Sequence, residues 1–298
     1  MKSTLQSGRM ALAAMALLFF AVGCSPSDTA SDAPQDLGAG GADAADGSTL
    51  PPDLWTSDGA LPDGGDSSDC PAALGKMGQE LLKALSTCVR GQTALSYAAA
   101  RDSMFLMYSD PANNNSVECF YTGRKAPQVT DRASANMNMF NTEHSWPQSL
   151  GAAGIAQSDM HHLFPTDNTA NGKRANYPFG EVRTASWTGP DPDGHGPSKL
   201  GTRMDGKTVF EPRDPVKGNI ARALLYFYTR YSPEPQSGYS IVNFTVEEET
   251  LHKWHMQDPP DAAERAHNEG VYKLQRNRNP YIDHPEYVER IGTFNVKP

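Results

Sequence analysis

Apolar residues recur at helical spacing at Leu74, Met77, Leu81, Leu82 and Leu85, which predicts an amphipathic helix over roughly 72–89. Ser96 sits where an N-cap belongs, ahead of a second helical run over 97–107. Val117 to Tyr121 reads as a short strand closed by Thr122-Gly123. The polar stretch 124–140 favours neither periodicity. Phe140 to Trp146 alternates as a strand that Pro147 ends, and His162 to Phe164 as a second one bounded by Pro165. Asp167 or Asn168 then caps a short helix running through Arg174. The Gly-, Pro- and Asp-rich stretch 185–215 predicts a long surface loop. Ile220, Leu224, Phe227 and Tyr231 form a helical stripe, and Thr245/Glu248 and Asp261/Glu264 match capping boxes that start two more helices. Asn279-Pro280 and His284-Pro285 break the chain near its end. Helices dominate over few strands, so the fold class is α+β, a mostly helical domain with a small sheet.

The N-terminal 1–23 differs in kind. Lys2 and Arg9 precede an apolar run from Met10 to Val22, thirteen residues long, which suits a signal peptide better than a membrane span. Ala21-Val22-Gly23-Cys24 resembles a lipobox, with Cys24 as the lipidated N-terminus of the mature chain; plain secretion is the rival. Either route leads out of the cytoplasm. Residues 24–70 follow as a tether of Asp, Gly, Ala, Ser and Pro, too poor in apolar side chains to offset the entropy of ordering.

That tether changes the meaning of the net charge of −9. It holds ten Asp and no Lys or Arg, whereas the leader adds two positive charges, which leaves 71–298 at −1. A near-neutral body lacks the basic signature of a sequence-specific DNA binder, and any polyanion would be held by local basic clusters and a metal. These 228 residues make one domain with one sizeable core. Beyond Cys24 the cysteines are Cys70, Cys88 and Cys119; an oxidising compartment favours one bridge, Cys70–Cys88 across the first helix, with Cys88–Cys119 as the rival.

The chemistry concentrates in two clusters. The first is Asn141-Thr142-Glu143-His144-Ser145-Trp146-Pro147-Gln148-Ser149; the second is Asp159-Met160-His161-His162-Leu163-Phe164-Pro165, followed by Asn171-Gly172-Lys173-Arg174-Ala175-Asn176. An imidazole suits removal of a proton from water. A hard divalent ion needs only one carboxylate and one carboxamide, its other positions being filled by water and phosphate. Adjacent residues of a strand face opposite ways, so Glu143 and His144 serve one site only at a strand end. His161-His162 does not make a zinc site, because strand neighbours do not converge on one ion and no Cys pair completes a tetrahedron. His162 reads equally as a packed residue. Arg276 and Arg278, alternating with Asn277 and Asn279, suit phosphate contacts or a solvated loop, and Trp146 suits packing.

In these motifs the chain resembles the endonuclease I family of secreted and periplasmic bacterial nucleases. The resemblance extends to Tyr121-Thr122-Gly123-Arg124, to Phe210-Glu211-Pro212-Arg213-Asp214 with Lys217 to Arg222, and to Gln275 through Pro285, and so covers most of 95–292. It implies a ββα-metal site of the His-Me finger type within 71–298. His144 would be the general base, and Glu143 and Asn171 the ligands of Mg²⁺, with Mn²⁺ or Ca²⁺ as substitutes. Asp159, His161 and His162 would orient the base. Arg174 would contact the scissile phosphate, with Lys173, Arg276 and Arg278 as further phosphate contacts. The family's arginine for the leaving phosphate has no counterpart in 150–157, which holds no Arg. The implied activity is nonspecific cleavage of DNA, or RNA, to 5′-phosphate products by a monomer outside the cytoplasm, periplasmic, secreted or tethered as an outer-membrane lipoprotein. The rival readings are a phosphoesterase for small or lipid-linked esters and a non-enzymatic DNA-binding surface protein.

Overall fold

The computed structural model describes residues 70–232 and 240–295. The leader, Cys24 and the tether lie outside the described residues. No described helix is long and apolar enough to cross a membrane.

The chain opens with α1 (Gly78–Cys88) and α2 (Tyr97–Tyr108), the latter capped by the Ser96 hydroxyl. Cys88 is joined to Cys70 by a disulfide, and Cys119 is a buried free thiol. A small antiparallel sheet follows: β1 (Ser109–Asp110), β2 (Ser116–Glu118) and β3 (Lys125–Ala126). α3 (Arg132–Met137) then leads into β4 (Phe140–His144), which pairs antiparallel with β5 (Leu163–Asp167). α4 (Asn168–Arg174) follows β5 directly. β6 (Thr184–Thr188), β7 (Lys199–Thr202) and β8 (Thr208–Glu211) form a second three-stranded sheet. The rest is helical: α5 (Lys217–Tyr231), α6 (Phe244–Gln257), α7 (Ala262–Gln275), α8 (Pro280–Asp283) and α9 (Glu286–Ile291). The architecture is α+β, as the periodicities predict.

The core is built around α5. The stripe from Ile220 to Tyr231 is buried, and so are Ala221, Leu225 and Tyr226 on its other faces. A helix buried on all sides, with its charged side chains such as Arg222 paired, is a central one. Trp146 stacks on Phe227 and so fastens the end of β4 to this helix, packing as expected; Trp254 and His255 on α6 are buried too.

Four local expectations are corrected. Pro165 lies inside β5 rather than at its end. Its carbonyl accepts from Phe120 N on the side away from β4, so the missing N–H falls on that outer edge and no ladder bond is lost. The stretch 185–215 is not one loop but carries most of the β6–β8 sheet. There Gly201 marks close strand approach, since a Cβ at that position would lie 2.1 Å from Thr184 O, and Trp187 stacks on Phe210. The longest loop left is 189–198, tied back where the Asp193 carboxylate meets Arg213. Thr245 and Glu248 form no capping box: α6 starts at Phe244 with Asn243 at the cap position, two residues earlier than Thr245 would set it, and Glu248 instead accepts from Phe294 N and Asn295 N. Asp261 does cap α7, but Glu264 makes a buried ion pair with Arg222 rather than closing the box.

The disulfide closes a span of 18 residues around α1. Chain-entropy arguments give such a loop about 3 kcal/mol. Reduction, or Cys88→Ser, should therefore lower the unfolding free energy by roughly that amount in a denaturant titration; an unchanged midpoint would show that the bridge does not constrain the unfolded chain.

Candidate active site

The register of β4 against β5 places the first cluster beside the second. Glu143 faces Phe164 and His144 faces Leu163, and the ladder continues from Ser145 N to His162 O. Asp167 caps α4 by accepting from Thr169 N and Ala170 N, which starts the helix immediately after β5 and carries Asn171 back over β4. Asn141, Thr142, Glu143, His144, Pro147, Gln148, Asn171 and Arg174 are among the residues that line one cleft at the end of β4. Glu143 and His144 leave the strand on opposite sides, and both reach the cleft because the strand stops there.

Glu143 is buried. Its Oε1 accepts from Tyr121 Oη at 2.8 Å and pairs with Arg174 Nε at 3.1 Å. Oε2 receives no hydrogen bond from a described residue. Burial pushes the carboxyl up to about 7, against the opposing pull of Arg174 and Tyr121. A carboxylate held in this way is short of positive charge. Asn171 donates from Nδ2 to Asn141 Oδ1 at 2.9 Å, which turns its Oδ1 away from that partner and leaves it without a donor among the described residues. A hard cation prefers such a pair of oxygens. No group of three His, Cys, Asp or Glu forms a metal cage among the described residues, so the donor set fits an ion that keeps most of its water.

His144 is buried as well, and burial, with His162 beside it, pushes its pKa down to about 3. The ring is therefore neutral. Nε2 lies 3.0 Å from the Gln157 carbonyl, which can only accept, so Nε2 carries the proton and Nδ1 the lone pair. Nδ1 is the basic nitrogen, with the amide of Gln148 3.4 Å away.

Arg174 is almost fully buried, with Phe179 against its guanidinium. Nη2 donates to Ser145 O at 2.6 Å and Nη1 to Ala175 O at 2.7 Å. Its position is that of a clamp on Glu143 and the end of β4 more than of a mobile phosphate ligand.

Asp159, His161 and His162 lie behind the cleft and not in its lining. The Asp159 carboxylate accepts from Gln92, Tyr226, Tyr231, Gln275 and the His161 backbone N–H. It thereby fixes the turn that ends in His162, whose ring meets His144 edge-on at 5.4 Å. His162 Nε2 contacts Ala156 O, and His161 Nε2 contacts Asn277 O. Lys173 is exposed on α4, and Arg276 is exposed at the end of α7. Arg278 is engaged by Asp283 and Glu269 and lies over Tyr272, so a phosphate would have to compete with two carboxylates for it. Sequence reasoning missed Tyr121, Gln148 and the Gln157 carbonyl; the first two stood inside quoted motifs, whereas a backbone acceptor leaves no side-chain signal.

The sequence model of the endonuclease I family matches residues 78–286, and the chain belongs to that family. It is a nuclease. It is 34% identical over 232 residues to the extracellular ribonuclease of Bacillus subtilis (strain 168), covering 74% of this chain and 76% of that protein. A similar extracellular ribonuclease of Bacillus amyloliquefaciens matches over the same shares at 34%. The periplasmic deoxyribonuclease of Aeromonas hydrophila is 34% identical over 128 residues, 43% of this chain and 48% of its own length.

Burial lowers the pKa of six histidines: His144 to about 3, His255 and His267 to about 4, and His161, His162 and His252 in the same direction. Unfolded, each takes a proton near pH 6.5. Between about 6.5 and 4 the unfolded chain thus binds the more protons, and stability rises with pH. Glu143, Glu247, Asp258 and Glu264, all raised by burial, act in the opposite sense but are fewer. The melting temperature should fall on acidification from about pH 6.5 to 5; a flat or rising one would mean that these rings are charged or hydrated in the native state.

Proposed function

We propose that this protein is an extracytoplasmic, largely sequence-nonspecific endonuclease that hydrolyses phosphodiester bonds of DNA or RNA to 5′-phosphate products, with Mg²⁺ held by Glu143 and Asn171. Mn²⁺ or Ca²⁺ fits the same oxygen pair. The convergence of Glu143, His144 and Asn171 on one cleft carries this reading, because binding alone has no need of all three. The order strand, strand, helix in β4, β5 and α4 supports a ββα-metal arrangement. The ribonuclease relatives, matched over three quarters of their length, add weight to RNA as a substrate. The deoxyribonuclease relatives support DNA.

His144 Nδ1 takes a proton from the attacking water. The Gln157 carbonyl holds Nε2–H throughout, so the ring gains its second proton on the side facing the cleft. Arg174 and Tyr121 fix Glu143 Oε1 and leave Oε2 for the ion. Glu143 Oε2 and Asn171 Oδ1 would hold a divalent ion, which when bound would supply positive charge against the negative charge that builds on the phosphate and the departing 3′ oxygen. Arg174 also contributes its charge to the floor of the cleft, while Lys173 and Arg276 offer exposed cations to phosphates further along the strand. With a body near −1 overall, recognition rests on such local contacts and weakens with salt. The leader motif supports export, and Cys24 supports an outer-membrane lipoprotein anchored by its acylated N-terminus, with the nuclease domain acting as a monomer.

His144→Ala should abolish cleavage of plasmid DNA and of single-stranded RNA in Mg²⁺, a loss of at least about a hundredfold, while retention of labelled DNA on a filter stays within about twofold of the parent. Substantial Mg²⁺-dependent activity in that variant would remove His144 as the base.

A further inference from the structure

Three hydrogen bonds close a ring around His144. Its Nε2 faces the Gln157 carbonyl at 3.0 Å; the Gln157 side chain donates from Nε2 to Gln148 Oε1 at 2.9 Å; the Gln148 Nε2 faces His144 Nδ1 at 3.4 Å. The polarity of this ring is not arbitrary. A carboxamide can be turned end for end, but a backbone carbonyl can only accept. The Gln157 carbonyl therefore sets the imidazole proton on Nε2. Nδ1 must then receive, so Gln148 presents its amide nitrogen, and its Oε1 must receive in turn from Gln157. Reversing either carboxamide would set two acceptors face to face at the Nδ1 or the Gln157 contact.

Gln148 stands in the cleft lining, half-buried, whereas Gln157 is not among the lining residues. We propose that Gln148 is a positioning residue for the reaction: it keeps Nδ1 of His144 as the lone-pair nitrogen and occupies the place on it that the attacking water takes, and Gln157 controls which end of Gln148 is presented there. This rests on His144 being the base. The carbonyl alone would hold Nε2–H; the amide adds that the wrong tautomer is penalised at both ring nitrogens. It also adds that the base is released only when water replaces an N–H on Nδ1.

The test uses the full chain with Mg²⁺, three glutamine variants and His144→Ala as the reference. Gln148→Glu keeps the size but only accepts, so it draws the ring proton to Nδ1. Gln157→Glu leaves the cleft lining intact but accepts from Gln148, turning the Gln148 oxygen toward Nδ1. Gln148→Met keeps the bulk and imposes no polarity. The two Glu variants should lose about a hundredfold in kcat, with KM for a DNA or RNA oligonucleotide within about twofold. Gln148→Met should lose about tenfold or less. In protein labelled with ¹⁵N-histidine, the His144 signals, identified by their absence in His144→Ala, should show an unprotonated Nδ1 in the parent and in Gln148→Met, and a protonated Nδ1 in Gln148→Glu. Equal losses in the Met and Glu variants, or an unchanged Nδ1 signal in a folded Gln148→Glu, would overturn the proposal and leave the base assignment standing. Activity retained by His144→Ala would remove the base assignment while the nitrogen signals still report the ring of hydrogen bonds.

Discussion

The arrangement of the cleft depends on one buried cation. Arg174 ends α4, and its guanidinium reaches the carboxylate of Glu143, the carbonyl of Ser145 just past β4 and the carbonyl of its own neighbour Ala175. Strand end and helix end are thus tied to one planar group, and with them the two oxygens offered to the cleft. Removing one partner of such a pair typically costs about 3–5 kcal/mol, since the other charge stays buried. The pair is nevertheless unbalanced. With Arg174 at 3.1 Å, the Glu143 carboxyl still rises to about 7, because desolvation outweighs the attraction. A second positive charge on Oε2 would restore the balance, and that is the physical case for a cation there.

Behind this clamp the structure uses imidazoles, hydroxyls and carboxamides. Asp159 is surrounded by hydroxyls and carboxamides from three segments of the chain, with no Lys or Arg hydrogen-bonded to it among the described residues, and its carboxyl is held below the usual range against burial, by the neighbouring His161 and His162 first and then by these hydrogen bonds. Hydrogen bonds to an ionised acceptor are the stronger kind, and several together offset its burial. The consequence for the cleft is mechanical: the turn 160–162 is fixed from below, and His144 is packed between Tyr97 and His162. The His144 ring is held by this packing, by the Gln157 carbonyl and by the Gln148 amide.

How much of this could be read from the sequence follows from the kind of signal each part leaves. The pair β4 and β5 was legible because alternation and the two side-chain clusters coincide, and α4 because Asp167 is an N-cap with free amides to bind. The β6–β8 sheet was hidden because its glycines resemble loop residues; Gly201 is there since the neighbouring strand leaves no room for a side chain. The failed box at Thr245 and the half box at Asp261 show tertiary partners overriding local ones, Phe294 in one case and Arg222 in the other. In the cleft, the Glu143–His144 pair stood out by residue type and order, whereas Asn171 was singled out through the family resemblance. The Gln157 carbonyl, which fixes the imidazole proton, was not, because every residue has one.

The most direct measurement is calorimetric titration of the full chain with Mn²⁺ in the absence of substrate. If Glu143 Oε2 and Asn171 Oδ1 form the site, the parent binds one ion, and Glu143→Gln and Asn171→Ala each weaken binding by at least about tenfold, with the fold unchanged by circular dichroism. Binding of the same strength in both variants would show that the ion, if the reaction uses one, is held elsewhere.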